Sequence, residues 1–250
     1  MIEEFYRVRH YEFSPQGTLT PWGLQNFFQE TACNDANSLG CGFEHLRPKN
    51  LAWVLTKLQM HFFIPNSKSF KVKVITWPVE SSKLTTRRDF RIFDENNALI
   101  VAGTTQWVII DLSSRRLIRL PSFVLDCLPK QKAEYALDTD FVRQPLDLSK
   151  QIPLNSYEVN SRLEDLDING HINNQHFTAW ALQGVPEEIQ KDFNLTNLCV
   201  LFKSEICFGE NIKVLTYSAS ETNSFWHILV NKEGKEYSAV FSQWTKKETL

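Results

Sequence analysis

The same order of predicted elements occurs twice along this 250-residue chain, and that repetition restricts the fold more than any other feature. Each half begins with a strand-like stretch, continues into a helix and ends with four β-rich stretches. The last stretch of each half contains the dipeptide Gln-Trp, at 106–107 and at 243–244. Since a domain takes roughly 100–200 residues, the chain has room for two such units. The pattern therefore predicts a duplicated architecture.

The helix of the first half has clear start and end signals. Thr20 followed by Pro21 is an N-cap with proline at the first helical position, and Gly40 ends a helix of about 18 residues. In the second half, Asn173 or Asn174 opens the helix. A helix that is apolar on most sides is expected to be buried, with the antiparallel strands that follow curled around it. We therefore predict an α+β fold, a double hot-dog whose two units share one sheet.

The predicted boundaries follow from a stretch with little periodicity between the halves. It contains Pro145 and Pro153, which favour irregular chain. We predict an N-terminal unit over 1–130, a connecting segment over 131–152 and a C-terminal unit over 153–250.

Composition excludes several classes of function. Lys and Arg total 27 against 29 for Asp and Glu, a net charge of −2 that argues against a protein that coats nucleic acid. No apolar run reaches the roughly 18–20 residues of a membrane span, and no secretory signal pattern opens the sequence. The five cysteines form no CxxC pair, which favours reduced thiols and a cytoplasmic location.

The densest polar cluster lies where the second half enters its helix. Asp167, Asn169 and His171 alternate, so in an extended backbone all three side chains would point the same way. The N-terminus of the helix follows, and its free N–H groups can stabilise negative charge on a carbonyl oxygen. Carboxylate, amide, imidazole and helix terminus together predict a hydrolytic site.

Other interpretations of this cluster are weaker. Asp165, Asp167, Asn169 and Gly170 fit four positions of a calcium loop, but the twelfth position requires Glu and is His176. A polar turn that merely caps the helix would explain the asparagines. We predict no metal site. Because P-loop, G-x-S-x-G and G-x-G-x-x-G patterns are also missing, we predict no cofactor.

The first half has neither a carboxylate nor an imidazole in the corresponding stretch, residues 13–20. A reactive centre is therefore expected in the second half alone, which leaves the first half free to form a binding pocket. A second candidate, Glu205, comes 34 residues after His171, on the predicted strand after the helix. Periodicity leaves open whether this carboxylate faces inward or faces solvent.

The chain resembles the acyl-(acyl carrier protein) thioesterases of plants and bacteria. The resemblance rests on LQNFFQETACNDA, LAWVLTKLQ, TTRRDFRIFD and QWVIIDLSSRRLIRLP in the first half, and on DLDINGHINNQHF and FKSEIC in the second. It implies a tandem hot-dog that releases free fatty acid from carrier protein in fatty acid biosynthesis. By motif, Asp167, Asn169 and His171 match the catalytic string of the family, and Glu205 matches its acidic partner.

One departure from the family pattern bears on the mechanism. Some members have Cys directly after the Glu, where this chain has Ile206. Cys207 comes one residue later, and a single step along a strand reverses the direction of the side chain. We therefore expect direct attack by water, with Glu205 as general base or water-positioning group and His171 sharing the proton transfer. Asn169 and the helix terminus would orient the carbonyl, and Asp167 would fix the local geometry or the His171 tautomer.

The resemblance also implies an acyl slot in the first half and an acidic carrier protein as partner. The candidates for the slot are Phe27, Phe28, Trp53 and Trp107. The basic candidates for carrier docking are Arg87, Arg88, Arg115, Arg116 and Arg119. The alternatives that stay open are a hot-dog acyl-coenzyme A thioesterase and a non-catalytic acyl-binding scaffold. Association into a homodimer through sheet edges is also open.

Overall fold

The computed structural model describes residues 1–145 and 148–247, without the side chain of Ser149. The chain separates into two compact units, Met1–Thr139 and Asp140–Leu250. This division falls inside the predicted connecting segment. Residues 146–147 of that segment, and 248–250 of the predicted C-terminal unit, lie outside the described residues.

Unit 1 consists of one long helix, two short helices and an antiparallel sheet. The elements are β1 (Ile2–Arg7), α1 (Pro21–Ser38), α2 (Phe43–Leu46), β2 (Leu51–Phe62), β3 (Lys71–Ser81), β4 (Thr85–Phe93), β5 (Leu99–Asp111), β6 (Arg116–Ile118) and α3 (Ser122–Cys127). Short 3-10 turns lie at His10–Glu12 and Arg47–Lys49. The strand order in the sheet is β1-β3-β4-β5-β2, with β6 paired to β5.

The start of α1 confirms the predicted cap. The hydroxyl of Thr20 accepts the N–H of Gly23 at 3.1 Å, which satisfies one of the free donors of the first turn. The buried face of α1 lies on the sheet, where the ring of Phe28 stacks on Phe90 with centroids 4.3 Å apart. Gly103 permits this approach, because a Cβ there would lie 2.2 Å from Phe28 Cε2. The stacking of Phe28 on Phe90 thus holds α1 close to the sheet, in the space that Gly103 leaves free.

Unit 2 repeats this plan of a helix and an antiparallel sheet. The elements are β7 (Asn155–Asn160), α4 (Asn174–Gln183), α5 (Glu187–Asp192), β8 (Phe193–Phe202), β9 (Asn211–Ser218), β10 (Ser224–Val230) and β11 (Glu236–Lys246). Short 3-10 turns lie at Leu148–Lys150 and Leu163–Asp165. The strand order is β7-β9-β10-β11-β8, again antiparallel. The predicted α+β double hot-dog, with two helix-and-sheet units, is confirmed.

The segment between the halves packs on both units in turn. Its first part lies on unit 1, where Trp77 Nε1 donates to the carbonyl of Glu134 at 2.8 Å. Its second part covers unit 2, where Phe141 and Leu148 join an apolar cluster with Trp226. Among the described residues, no helix combines the length and apolar character needed to cross a bilayer.

A buried histidine lies in the sheet of unit 2. His227 Nδ1 is 3.0 Å from the hydroxyl of Thr216, and its Nε2 is 3.0 Å from the hydroxyl of Ser242. Because the ring is fully buried between these hydroxyls, desolvation lowers the pKa of His227 from 6.5 to about 3. The folded chain therefore keeps this ring neutral at mildly acidic pH, whereas the unfolded chain protonates it.

This difference predicts a loss of stability in acid. As the pH falls from 7 to 5, the unfolded state gains a proton at His227 that the folded state does not, which costs about 2 kcal/mol of the free energy of unfolding. We expect wild type to lose about 2 kcal/mol more than His227→Gln over this interval, in urea unfolding at the two pH values. Equal losses in the two proteins would contradict the prediction.

Candidate active site

The stretch from Leu166 to Ile172 is a tight turn, and the predicted extended strand is wrong here. Leu166 and Ile172 form an isolated antiparallel bridge. Inside it, the N–H of Asp167 donates to the carbonyl of His171 at 2.7 Å, and the N–H of Gly170 donates back to the carbonyl of Asp167 at 3.0 Å. Gly170 has a φ of +79°, a left-handed conformation that glycine adopts readily.

The carboxylate of Asp167 explains why this stretch turns. Its Oδ1 accepts the backbone N–H of Asn169 at 2.8 Å and that of His171 at 3.3 Å. Its Oδ2 accepts the side-chain amide of Asn169 at 3.2 Å. An aspartate that binds backbone N–H groups two and four residues on offers the chain an alternative to an extended strand. Asp167 therefore shapes the turn that presents His171.

Glu205 meets His171 from a second loop. Its Oε2 lies 3.3 Å from His171 Nε2, and the two side chains are 39% and 26% exposed, so water reaches the pair. The predicted position of Glu205 on a strand is wrong, because β8 ends at Phe202 and Glu205 lies in the irregular segment that follows. The open question about its direction is resolved: the carboxylate faces the imidazole at the protein surface.

Helix α4 begins directly after the turn, as predicted. Asn173 is the N-cap residue, and its Oδ1 accepts the N–H of Gln175 at 3.1 Å. Asp165 pairs with His176 Nδ1 at 3.5 Å, and burial lowers the pKa of this histidine. Asp165 and Asp167, which a calcium loop would place around one ion, therefore bind different partners: His176 for Asp165, and the N–H groups of its own turn for Asp167. Within the described ranges, no three His, Cys, Asp or Glu side chains are grouped to hold a metal.

Unit 1 contains the same turn with other side chains. The N–H of Ser14 donates to the carbonyl of Thr18 at 2.8 Å, and Gly17 donates back to Ser14 at 2.8 Å with a φ of +73°. The hydroxyl of Ser14 accepts the N–H groups of Gln16 and Thr18 at 3.2 and 3.3 Å, as the carboxylate of Asp167 does in unit 2. This turn carries neither an acid nor an imidazole, so its backbone alone does not make a reactive site.

The position at which some family members have cysteine is not reactive in this chain. Ile206 is fully buried. Cys207 is exposed, and its N–H donates to Glu210 Oε1 at 2.9 Å. This segment is not a strand, so the expected alternation of side chains does not apply to it. Instead, the burial of Ile206 and the exposure of Cys207 set the directions of these two side chains. The side chain directly after Glu205 therefore offers no nucleophile.

The four candidates for the acyl slot separate into two groups. Phe28 and Trp107 line one cleft of unit 1, between α1 and the sheet. Phe27 instead packs its ring against β1, and Trp53 donates its indole N–H to the carbonyl of Cys41 at 2.7 Å in another apolar cluster. The cleft is lined by Gln25, Phe28, Gln29, Leu55, Leu58, Phe90, Thr105 and Trp107.

The arginines of the two docking candidates also differ. Arg88 is buried, its side chain 8% exposed, and pairs with Asp35 at 2.6 Å. Arg87 pairs with Asp89 at 2.9 Å beneath the segment that joins the halves. These two arginines stabilise unit 1 and do not present their charges to a partner. Of the five docking candidates, the exposed ones lie at and after the turn between β5 and β6, and they are Arg115, Arg116 and Arg119.

Sequence reasoning missed two residues at this site. Ser161 and Glu210 hold the segment that carries Glu205. Ser161 lies 44 residues before Glu205 in the chain, and a single serine after a strand carries no pattern that could have indicated the contact.

Comparison with known proteins agrees with the fold and identifies the family. Residues 1–128 match the model of the acyl-ACP thioesterase N-terminal domain, and residues 149–246 match that of its C-terminal domain. A chloroplastic acyl-[acyl-carrier-protein] hydrolase of Cuphea viscosissima is 26% identical over 98% of this chain. A chloroplastic oleoyl-acyl carrier protein thioesterase of Arabidopsis thaliana is 26% identical over 99%. The chain spans 63% and 77% of the lengths of these two relatives.

Solved structures show the same fold. The 12:0-ACP thioesterase from Umbellularia californica superposes with a TM-score of 0.84 at 22% identity, covering 98% of this chain and 97% of that one. An acyl-ACP thioesterase from Bacteroides thetaiotaomicron gives a TM-score of 0.82 at 19% identity, covering 97% of each chain. With both domain models matched in order along the sequence, this chain belongs to the acyl-ACP thioesterase family.

Proposed function

We propose that this chain hydrolyses the thioester that joins a fatty acyl group to acyl carrier protein. The observation that carries the proposal is the contact of 3.3 Å between His171 and Glu205, on two adjoining loops of unit 2. An acid–base pair that is open to water suits a reaction in which water is the nucleophile. The named relatives, which act on acyl carrier protein substrates, support the choice of substrate.

The pair can carry both proton transfers of the hydrolysis. Glu205 takes a proton from a water molecule as its oxygen attacks the thioester carbonyl carbon. The tetrahedral intermediate then collapses and the carbon–sulfur bond breaks, while the proton passes from Glu205 to His171 and from His171 to the departing sulfur, which returns both side chains to their starting state. The products are a fatty acid and the free thiol of the carrier. Because no side chain is acylated, the reaction needs no nucleophilic cysteine.

The surrounding turn supplies the polar groups that hold the substrate carbonyl. Asn169 donates one amide N–H to Asp167, and its second N–H is suited to the carbonyl oxygen of the thioester. The positive end of α4 begins at Asn174, three residues beyond His171. Asp167 acts on the reaction through the shape of the turn.

The acyl chain and the carrier protein are assigned to unit 1. The cleft with Phe28 and Trp107 is lined mainly by apolar side chains and has room for about one water molecule, so an acyl chain would enter only if α1 and the sheet moved apart. The exposed arginines Arg115, Arg116 and Arg119 suit an acidic carrier protein. A cytoplasmic location stays our proposal for this chain and rests on its five free thiols, while the two plant relatives are chloroplastic. A homodimer stays a prediction of the sequence.

The first prediction concerns the acid–base pair. We expect Glu205→Ala and His171→Ala each to lower kcat by about 10²–10⁴-fold, the usual contribution of a positioned general acid or base. The measurement is thiol release from acyl carrier protein that carries one defined acyl chain. Glu164→Gln is the matched control, because Glu164 lies near the same turn but is 73% exposed and pairs with Arg162. Near-normal turnover by either alanine variant would refute the assigned roles.

The second prediction separates the shape of the turn from its charge. Since Ser14 holds the equivalent turn of unit 1 with a hydroxyl, Asp167→Ser should keep the turn, whereas Asp167→Ala removes the acceptor of two N–H groups. We expect Asp167→Ser to retain kcat within about tenfold and Asp167→Ala to lose clearly more, since each lost hydrogen bond costs about 1 kcal/mol. If the two variants lose equal activity, the negative charge and not the turn is what the reaction requires.

The third prediction tests carrier docking. Arg115→Glu with Arg116→Glu should raise KM for acyl carrier protein at least about tenfold and leave KM for a small thioester of the same acyl group without phosphate unchanged, because charge reversal acts on the acidic carrier alone. Lys213→Glu with Lys232→Glu reverses two exposed cations of unit 2 and serves as the charge-matched control. Equal effects on both thioesters would contradict docking. A higher kcat/KM on the coenzyme A thioester would favour the alternative substrate.

A further inference from the structure

We propose that Ser161 is a positioning residue that sets the place of Glu205 opposite His171; this inference rests on the function proposed above. Ser161 lies directly after β7 and is buried. The chain continues from it through the 3-10 turn of Leu163–Asp165 to the turn that carries His171. Ser161 thus belongs to the stretch of chain that leads to His171, and its hydroxyl contacts the segment that carries Glu205.

The hydroxyl of Ser161 makes two hydrogen bonds to that segment. It donates to the carbonyl of Cys207 at 2.9 Å, and it accepts the N–H of Glu210 at 2.9 Å. The N–H of Ser161 also donates to the carbonyl of Glu210 at 2.9 Å. These bonds close the turn that begins two residues after Glu205, so they restrain the backbone that carries this carboxylate from its C-terminal side.

A second set of contacts fixes the segment from its other side. The N–H groups of Lys203 and Ser204 both donate to the carbonyl of Tyr237, at 2.9 and 3.1 Å. The hydroxyl of Tyr237 donates to the carboxylate of Glu210, and that carboxylate accepts the N–H of Cys207. The backbone on both sides of Glu205 is therefore bound to buried or partly buried groups.

Unit 1 provides an internal comparison for the role of this hydroxyl. Val8 lies directly after β1, is buried, and donates its N–H to the carbonyl of Phe70 at 2.8 Å, as Ser161 donates to Glu210. A valine side chain has no hydroxyl and cannot form the two additional bonds. The frame of a hot-dog unit therefore tolerates valine at this place. The serine hydroxyl occurs in the unit that carries His171 and Glu205, which points to a role in the reaction.

The test uses an isosteric pair at this position. Ser161→Val installs the side chain that unit 1 has at the equivalent place, and Ser161→Thr has the same shape with the hydroxyl retained. We expect Ser161→Val to lower kcat for acyl carrier protein about 10- to 100-fold, the effect of displacing a catalytic group by up to roughly 1 Å. KM should change less than about twofold, and Ser161→Thr should restore most of kcat. Val8→Thr is the matched control in unit 1 and should leave kcat unchanged.

Three results would overturn the role of Ser161: an unchanged kcat in Ser161→Val, an equal loss in the valine and threonine variants, or a loss that lies wholly in KM. If Ser161→Val does not fold, Tyr237→Phe serves as the test, because it removes the hydroxyl that holds Glu210. This variant should lower kcat and leave KM unchanged. A normal kcat would overturn the proposal. Failure of the proposed function is recognised separately, because wild type would then release no thiol or Glu205→Ala would be fully active.

Discussion

One backbone hydrogen bond holds the candidate site together. The N–H of Ile172 donates to the carbonyl of Ile206 at 2.9 Å, and these residues directly follow His171 and Glu205. Two side chains 34 positions apart in the sequence are thereby brought to 3.3 Å. Ile172 and Ile206 are both buried, so the bond is protected from water and is costly to break. The reactive side chains lie at the surface, while the bond that aligns them lies in the interior.

The same bond occurs in the unit that carries no acid–base pair. In unit 1 the N–H of Leu19 donates to the carbonyl of Ser67 at 2.9 Å, and the residues that precede them are Thr18 and Asn66. The turn, the helix cap and this bond thus belong to the frame of a hot-dog unit. In the proposed mechanism, catalysis requires in addition an imidazole and a carboxylate at the two positions before the bond. Function here depends on side chains placed on a duplicated frame, which agrees with the general rule that the site and not the fold decides activity.

The two units also use their charged residues differently. In unit 1, Arg88 and Asp35 form a buried pair, and removal of one partner would leave a buried charge at a cost of about 3–5 kcal/mol. In unit 2, Glu205 keeps 39% of its side chain exposed and avoids that desolvation cost. A partly exposed carboxylate is accessible to water, as a general base for hydrolysis must be. Burial thus makes one charge structural, and exposure leaves the other available for chemistry.

The sequence by itself determined the duplicated order of elements, both helix starts and the identity of His171 and Glu205 as candidates. The helix starts rest on short-range signals, the caps at Thr20 and Asn173, that the local chain satisfies on its own. The choice of Glu205 rested on the resemblance to a known family. The extended backbone assumed from the alternating polar residues does not occur at Asp167, because its carboxylate binds backbone N–H groups and turns the chain. Only the tertiary structure decided that Glu205 faces His171, that Arg88 is buried against Asp35, and that Ser161 holds the loop after Glu205. Each of these contacts joins residues 34 to 53 positions apart, and the packing of helix and sheet, not any local pattern, sets such distances.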